Sequence, residues 1–564
     1  MAIGEGGAAK PVFAAGRVMV CVRLNEAPCT IGYIGCEPKP TLPSIIVLNL
    51  KIPAARDCDV IIAGAGPAGA AAAAHLAAAG MSVVLADQQS FPRDKVCGDF
   101  VGPAALLELR SLGITELPDY KRTNVIHKAS LYLNGRRLIT HPIPRIDGMP
   151  SNGRVIPRKV LDTWIVNAAR TAGATILENT RVQEFETTTE GVSVAVKGKD
   201  GLRRIRARAL IGADGSSSVI ARIMRGHQVP DKNRIIAMRC YFNGIADAGD
   251  TCDLYFSEDS FPGYYWLFPT GPHSANVGIG MVRETLPKTG EQLRDLMLRR
   301  LSSDPALRAR LGDAQLEGRI VGWPLTTYDA SLDIVDSRVL LVGDAAGLIN
   351  PLNGEGIQYA MLSGRWAAET LVAAAIRNDF SRAALQQYSR RVECELRFDM
   401  ALARMIVQLI RNRHLTPVWL RALQMIVARA GADARYAEIT GGVLAGLVPA
   451  RRVLSADIVR KTCQQAVLSL SASAAVHLLR GPAHVARLAA ETIGAAANVV
   501  LSMGAQPAAA ADWGVGVAGS ALELAAGRAL DRHAAGSPGA QSGLPAAAAP
   551  PVRIGLSNQS LAPQ

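Results

Sequence analysis

Asp59-Val-Ile-Ile-Ala-Gly64-Ala-Gly66-Pro-Ala-Gly69 opens the stretch that decides the fold, and Ser82-Val-Val-Leu-Ala-Asp87 closes it. Val60–Ala63 reads as a short buried strand. It runs into Gly64-x-Gly66-x-x-Gly69. An alanine-rich helix former follows over Ala70–Ala79, Gly80 stops it, and Val83–Ala86 reads as a second buried strand. This order predicts a βαβ unit with a glycine-rich first turn. Gly64 permits the tight turn, Gly66 lets a pyrophosphate approach the backbone, and Gly69 lets the helix pack against the strand. The helix start would offer phosphates free N–H groups and the positive end of its dipole. Asp87 ends the second strand, 23 residues after Gly64, where an acid accepts hydrogen bonds from a ribose. A glycine-rich turn alone occurs without a ligand. Strand, helix, second strand and acid in register point to a dinucleotide site.

The 564 residues allow a large core and two or three structural regions. With 49% hydrophobic and 19% charged residues, most of the chain should be globular. No charge-free apolar run reaches the ~20 residues of a membrane span. The first residues lack a basic–apolar–small signal pattern, so a cytoplasmic location is expected. Nine cysteines are scattered without a Cys-x-x-Cys pair, which argues against zinc and iron–sulfur sites and for reduced thiols; no metal is expected. The net charge is +13, and residues 401–500 hold 12 Lys and Arg against 4 Asp and Glu. That excess reads either as a solvated helical surface or as a peripheral contact with an anionic membrane. No nucleic-acid recognition fold accompanies it.

Residues 1–56 show no clear period and read as a disordered leader. Residues 57–235 and 330–376 form a discontinuous dinucleotide-binding domain of Rossmann-like α/β type. Residues 236–329 read as an antiparallel-sheet substrate domain, with strands over Arg239–Phe242, Leu254–Phe256, Gly263–Phe268 and Ala275–Val282. Residues 377–503 are helical, with candidates over Ser381–Met405, Pro417–Ala430, Ser455–Leu470 and Ala474–Ser502. Residues 504–564, rich in Ala, Gly, Pro and Ser, form a low-complexity tail expected to be disordered.

Three further stretches carry chemistry. Phe91-Pro-Arg-Asp-Lys95-Val-Cys97-Gly98-Asp99 is a loop at the ligand edge of the sheet, where the neighbouring cations Arg93 and Lys95 are expected to favour a thiolate at Cys97; a small buried filler is the plain alternative for that cysteine. Gly212-Ala-Asp214-Gly215 and Gly343-Asp344 each end a buried strand, and an aspartate held there can touch phosphate or ribityl groups. Pro351 to Gly356 forms a loop opening a long helix at Ile357, whose free N–H groups suit a partial negative charge. In Pro262-Gly-Tyr264-Tyr265-Trp266-Leu-Phe268-Pro269, alternation puts Tyr264, Trp266 and Phe268 on one face. That face is either sheet packing or the apolar wall of a substrate cavity.

Together these motifs resemble the FAD-dependent oxidoreductases of the para-hydroxybenzoate hydroxylase-like fold, and within them the geranylgeranyl reductase family. The resemblance spans residues 57–376. It implies that Gly64, Gly66, Gly69 and Asp87 bind the ADP half of FAD, that Asp214 lies by the pyrophosphate, and that Gly343 and Asp344 meet the ribityl chain. Arg158 matches a family arginine bordering the cofactor, and Lys95, Pro351, Gly354, Gly356 and Ile357 are expected there as well. Lys95-Val-Cys97-Gly98 is similar to the family's Lys-x-Cys-Gly-Gly loop, with Asp99 where a second glycine is commonest. Pro262-x-Tyr264-x-Trp266-x-Phe268-Pro269 matches its Pro-x-Tyr-x-Trp-x-Phe-Pro signature. The implied activity is reduction of isoprenoid C=C bonds by hydride from reduced flavin. Tyr264, Trp266 and Phe268 would line the prenyl tunnel, and Cys97 would sit near the flavin. No second dinucleotide fingerprint appears, so NAD(P)H and ferredoxin both stand as electron donors. The alternatives are a flavin monooxygenase or epoxidase, a halogenase (whose usual Trp-x-Trp-x-Ile-Pro is absent), and a non-enzymatic flavin-binding scaffold.

Overall fold

A computed structural model describes residues 56–479, apart from 228, 231–233, 247–248 and 287–291, together with residues 507–535. The leader expected over residues 1–56 lies outside them except for Arg56.

Val60–Ala63 is buried along its whole length at the centre of a six-stranded sheet. The order across that sheet is Val335–Asp336, Val339–Leu341, Ala209–Gly212, Val60–Ala63, Val83–Ala86 and Thr175–Leu177. All neighbours are parallel except the first pair. Parallel strands covered on both faces are apolar throughout, as Val-Ile-Ile-Ala is. Ala63 pairs with both Gly212 and Ala86, and Gly212 pairs with Leu341, so four strands end level. The residues that follow them therefore share one edge.

The helix Pro67–Ala78 packs against the helices Arg158–Thr171 and Ile357–Arg377. Its alanines permit a close approach: a Cβ on Gly364 would stand 2.3 Å from the Ala68 carbonyl oxygen. Arg181–Thr187, Val192–Gly198 and Gly201–Ala207 form a separate three-stranded antiparallel sheet.

The sheet expected over residues 236–329 is larger than its sequence suggests, and mixed rather than wholly antiparallel. Its order is Gln315–Thr326, Arg234–Asn243, Ser274–Val282, Tyr264–Gly271, Thr251–Phe256, Lys128–Leu133 and Arg136–Pro142. The last two strands come from within residues 57–235, and Lys128–Leu133 pairs in parallel with Thr251–Phe256. A parallel partner more than a hundred residues away leaves no hairpin signal in the sequence.

The C-terminal region is helical over Arg382–Ile410, Thr416–Ala432, Ala434–Leu444 and Ala456–Leu479. The last of these runs through Ser471-Ala-Ser473 without a break, which corrects the expected separate helix from Ala474; residues 480–502 of that expectation lie outside the described residues. Disorder over 504–564 is also corrected for Pro507–Ala535, which form a helix. High alanine content favours helix, and Trp513 and Leu524 give this one something to bury. Trp513 Nε1 donates to the Gln408 carbonyl at 2.7 Å, and Leu524 is buried against the Phe398–Leu402 segment.

Candidate active site

The level strand ends bring Gly64, Asp87, Asp214 and Asp344 to one edge. Gly64 has φ +99°, and a Cβ there would stand 2.4 Å from the Ala213 carbonyl oxygen. Gly69 is needed for space, since its Cβ would stand 2.0 Å from the Gly64 carbonyl oxygen. Gly66 differs: the nearest atom to its Cβ position is Arg93 Nη2 at 3.7 Å, so the protein leaves open the space a pyrophosphate would take. Asp87 accepts the Ala65 N–H at 2.8 Å and the Gln89 N–H at 2.9 Å, fastening the turn to the second strand.

The loop after Asp87 is held by three consecutive charged residues, Arg93, Asp94 and Lys95. Arg93 bridges Asp87 at 3.7 Å and Asp162 at 3.2 Å. Asp94 takes the Arg239 guanidinium. Lys95 reaches Asp344 at 3.3 Å, and the Ser216 hydroxyl donates to that same carboxylate oxygen at 3.1 Å. Arg158 makes a two-pronged pair with Asp162 at 2.6 and 2.9 Å and is buried beside Cys97. Asp214 spends its oxygens differently. It accepts Val219 N–H at 2.7 Å, Ile220 N–H at 3.3 Å and the Ser218 hydroxyl, so it caps the helix Val219–Arg225 and shapes the Gly212–Ser216 turn.

Of the two readings the sequence left open for Cys97, the structure opposes the thiolate. Lys95, expected to favour a thiolate, turns to Asp344 instead. Desolvation pushes the Cys97 thiol above its ordinary range, Arg158 opposes this, and Asp99 adds to it. The thiol is thus neutral at physiological pH. Asp99 is fully buried at φ +63°, in the left-handed region that glycine enters most easily, which accounts for glycine being commonest there in the resembled family.

Pro351 to Gly356 is stapled by two asparagines. Asn350 Oδ1 accepts Leu352 N–H at 2.9 Å, and Asn353 Oδ1 accepts Glu355 N–H at 2.9 Å. Asn353 Nδ2 donates to the Leu444 carbonyl at 2.7 Å, so the C-terminal helices brace the loop. Gly354 has φ +71°, and Gly356 precedes the helix start at Ile357, which is buried. Gly343 N–H is held by the Ser363 hydroxyl at 3.0 Å. Glu355, between the two glycines, has no counterpart among the expected site residues. Burial pushes its carboxyl from 4.5 up to about 8, and only the Gln358 N–H opposes the shift.

Tyr264, Trp266 and Phe268 share a face, as expected, and extend into a longer row. Successive ring centroids from Phe256 through Tyr264, Trp266 and Phe268 to Phe100 are 5.9, 6.2, 6.1 and 5.9 Å apart. Tyr265 and Leu267 point the other way, into the core shared with the helices Leu293–Ser303 and Pro305–Leu311. Gly278 and Gly280 lie opposite Trp266 and Tyr264 on the next strand, and a Cβ on Gly278 would stand 2.2 Å from Trp266 Cζ2. Trp266 Nε1 donates to Asn276 at 2.9 Å, and the Tyr264 hydroxyl donates to the Asn353 carbonyl. The wall therefore touches the stapled loop at Tyr264. At Phe268 it touches the thiol loop, where a Cβ on Gly98 would stand 3.1 Å from the Phe268 ring.

These residues fit FAD. Gly66 would leave the approach of the pyrophosphate open, Asp87 would meet the ribose, and Asp344, held by Ser216 and Lys95, would face the ribityl chain. The N–H groups at Gly356–Ile357 suit the polar edge of the flavin ring. Fold and site together define an FAD-dependent oxidoreductase.

Residues 57–394 match the FAD binding domain family, and the chain belongs to it, as an oxidoreductase of the geranylgeranyl reductase and menaquinone reductase type. It is 33% identical over 337 residues to the menaquinone reductase of Mycolicibacterium smegmatis, covering 58% of this chain and 78% of that protein. It is 31% identical over 352 residues to digeranylgeranylglycerophospholipid reductase 2 of Methanopyrus kandleri, covering 60% of this chain and 82% of that protein. Among solved structures, the geranylgeranyl bacteriochlorophyll reductase-like protein of Thermoplasma acidophilum superposes with a TM-score of 0.54 at 23% identity, over 72% of this chain and 95% of that one. The flavin-dependent brominase Bmp2 shares the fold, with a TM-score of 0.57 at 18% identity over 70% of this chain and 94% of that one.

Proposed function

We propose that this enzyme reduces isolated C=C bonds in the prenyl chain of a lipid or quinone. Bound FAD, once reduced, supplies the hydride for this chemistry. The observation that carries the reading is the row of five rings. It starts at Phe100 beside the thiol loop and passes the stapled loop at Tyr264. It ends at Phe256, which joins the apolar cluster around Leu420 that Ile410 and Trp419 of the C-terminal helices also pack against. A row of that kind suits a long apolar chain rather than a compact polar substrate.

An isolated alkene is not polarised, so its reduction rests on proximity, exclusion of water and a placed proton donor. In this reading Tyr264, Trp266 and Phe268 align the chain, and the neutral Cys97 thiol borders the reacting carbon. Asp99, Asn276 and Tyr241 hold both in place. The helix Thr416–Ala432, with Val418 56% exposed among arginines, would receive the chain from a membrane surface. No helix among the described residues is long and apolar enough to cross a membrane. NAD(P)H or a ferredoxin would deliver the electrons.

The test is anaerobic. The purified holoenzyme is reduced with dithionite and mixed with geranylgeranyl diphosphate or a prenylated quinone. Flavin reoxidation with a product two mass units heavier per alkene is the expected result. Flavin that stays reduced until air is admitted would overturn the reading and favour an oxygen-using flavoenzyme.

A further inference from the structure

Glu355 lies at the junction of the site's parts. It sits in the loop that the two asparagines staple, directly before the helix Ile357–Arg377. Its carboxyl faces Gly102, the residue that leads the thiol loop into the next helix: a Cβ there would stand 3.7 and 3.8 Å from the two carboxyl oxygens. On another side is Tyr264, the first tyrosine of the aromatic wall, whose ring feels the Glu355 charge. Oε1 is buried and has no hydrogen-bond partner among the described residues. A buried carboxyl oxygen left unpartnered costs free energy, and a proton on the group lowers that cost.

We propose that Glu355 is the proton donor of the reduction, delivering its carboxyl proton to one alkene carbon while the other receives hydride. This rests on the reading of the enzyme as a prenyl reductase. The balance is complete. The C=C π bond breaks and two C–H bonds form. Reduced flavin is the two-electron reductant and is oxidised. The Glu355 O–H bond breaks, leaving a carboxylate that regains its proton from water.

The groups around Glu355 are consistent with a carboxyl kept protonated. Tyr264 faces it from the sheet and Tyr359 from its own helix, and both are driven towards the neutral form by burial. Asn350 and Asn353 are neutral, and Asp344, near Gly356, is paired with Lys95. The thiol loop presents Gly102 rather than a cation. Burial alone thus carries the Glu355 titration to about 8, so the acid is loaded at neutral pH. Cys97 and Tyr264 are weaker acids, and the Tyr264 proton is engaged by Asn353.

The experiment compares wild type, Glu355→Gln and Glu355→Asp as holoenzymes. Flavin content is checked first, followed by anaerobic single-turnover reoxidation with geranylgeranyl diphosphate from pH 6 to 10. The proposal expects a wild-type rate that is flat below about pH 8 and falls tenfold per unit above it. Glu355→Gln should hold FAD and lose about a hundredfold in rate, with no fall left above pH 8. Glu355→Asp should recover part of the rate. A readout independent of turnover uses the FAD-free protein. A carboxyl raised on folding stabilises fully below its unfolded value and loses that contribution as pH rises to about 8, so the melting-temperature difference between wild type and Glu355→Gln should drift across that window. A Glu355→Gln enzyme with wild-type rate and pH profile would overturn the proposal. So would a wild-type rate independent of pH, even if the glutamine variant failed to fold. No reoxidation by wild type at any pH would instead overturn the reductase reading itself.

Discussion

Asp99 Oδ2 accepts the Tyr241 hydroxyl at 2.6 Å across 142 residues of chain. The same oxygen takes Asn276 Nδ2 at 2.8 Å. Asn276 also donates to the Cys97 carbonyl at 2.7 Å and accepts from Trp266 Nε1 at 2.9 Å. One carboxylate therefore joins the thiol loop to the aromatic wall, and those two surfaces keep a fixed spacing through it.

Burial drives the Asp99 carboxyl from 3.8 up to about 6, and its hydrogen bonds to Tyr241 and Asn276 limit the rise. A raised acid binds more protons in the native state than in the unfolded chain between those values. Its contribution to stability is full below about pH 3.8 and declines as pH rises through 6, by about 3 kcal/mol in total. Asp99→Asn keeps the shape and cannot titrate. Urea unfolding between pH 4 and 7 should show the wild-type stability falling relative to the variant; parallel curves would rule out this assignment.

Cys97 should react slowly with iodoacetamide at pH 7.5, because only the thiolate attacks and burial holds this thiol neutral. Among the described cysteines, Cys394 and Cys463 are exposed and should be labelled before it. Peptide mapping of a labelling time course gives the order. Fast labelling at Cys97 would restore the thiolate expectation that Arg93 and Lys95 raised.

Much of the cofactor edge is legible in the sequence because its information is local. Gly64, Gly66, Gly69 and Asp87 lie on one βαβ unit, where spacing along the chain sets spacing in space. The aromatic wall and the loop it touches are less legible because their partners are remote. Asn276 meets Asp99 across 177 residues, and Lys128–Leu133 finds Thr251–Phe256 by parallel pairing. Glu355 is hidden for another reason: between Gly354 and Gly356 it reads as loop filler, and only burial gives it chemistry. Lys95 and Arg93 show the converse failure. Adjacent in sequence to Cys97, they turn to Asp344 and to Asp87 and Asp162, leaving Arg158 as the cation beside the thiol.

Gly66 and Gly69 should separate cofactor binding from folding. Gly66→Val puts its side chain into open space and should give a folded protein without bound flavin. Gly69→Ala forces a Cβ to 2.0 Å from the Gly64 carbonyl oxygen and should destabilise by about 3 kcal/mol. Flavin absorbance and thermal melts read the two outcomes. A Gly66→Val protein retaining full flavin absorbance would remove the pyrophosphate from this turn.

Gly278 tests the aromatic wall without touching the cofactor side. Its Cβ would stand 2.2 Å from Trp266 Cζ2 and 2.5 Å from the Met238 carbonyl oxygen, so Gly278→Ala must push the indole off its seat. The displaced ring loses its Nε1 hydrogen bond to Asn276 or tilts into the space assigned to the prenyl chain. Trp266→Phe keeps most of the ring volume and removes only the N–H, at about 1 kcal/mol. If the wall aligns the substrate, both variants should retain FAD. Gly278→Ala should then lose at least about tenfold in prenyl turnover, equal to about 1.4 kcal/mol, and Trp266→Phe should lose less. Stopped-flow reoxidation beside the flavin spectrum measures both quantities on one sample. Unchanged turnover in Gly278→Ala, with its melting temperature lowered, would make Trp266 a packing residue of the sheet and move the substrate elsewhere.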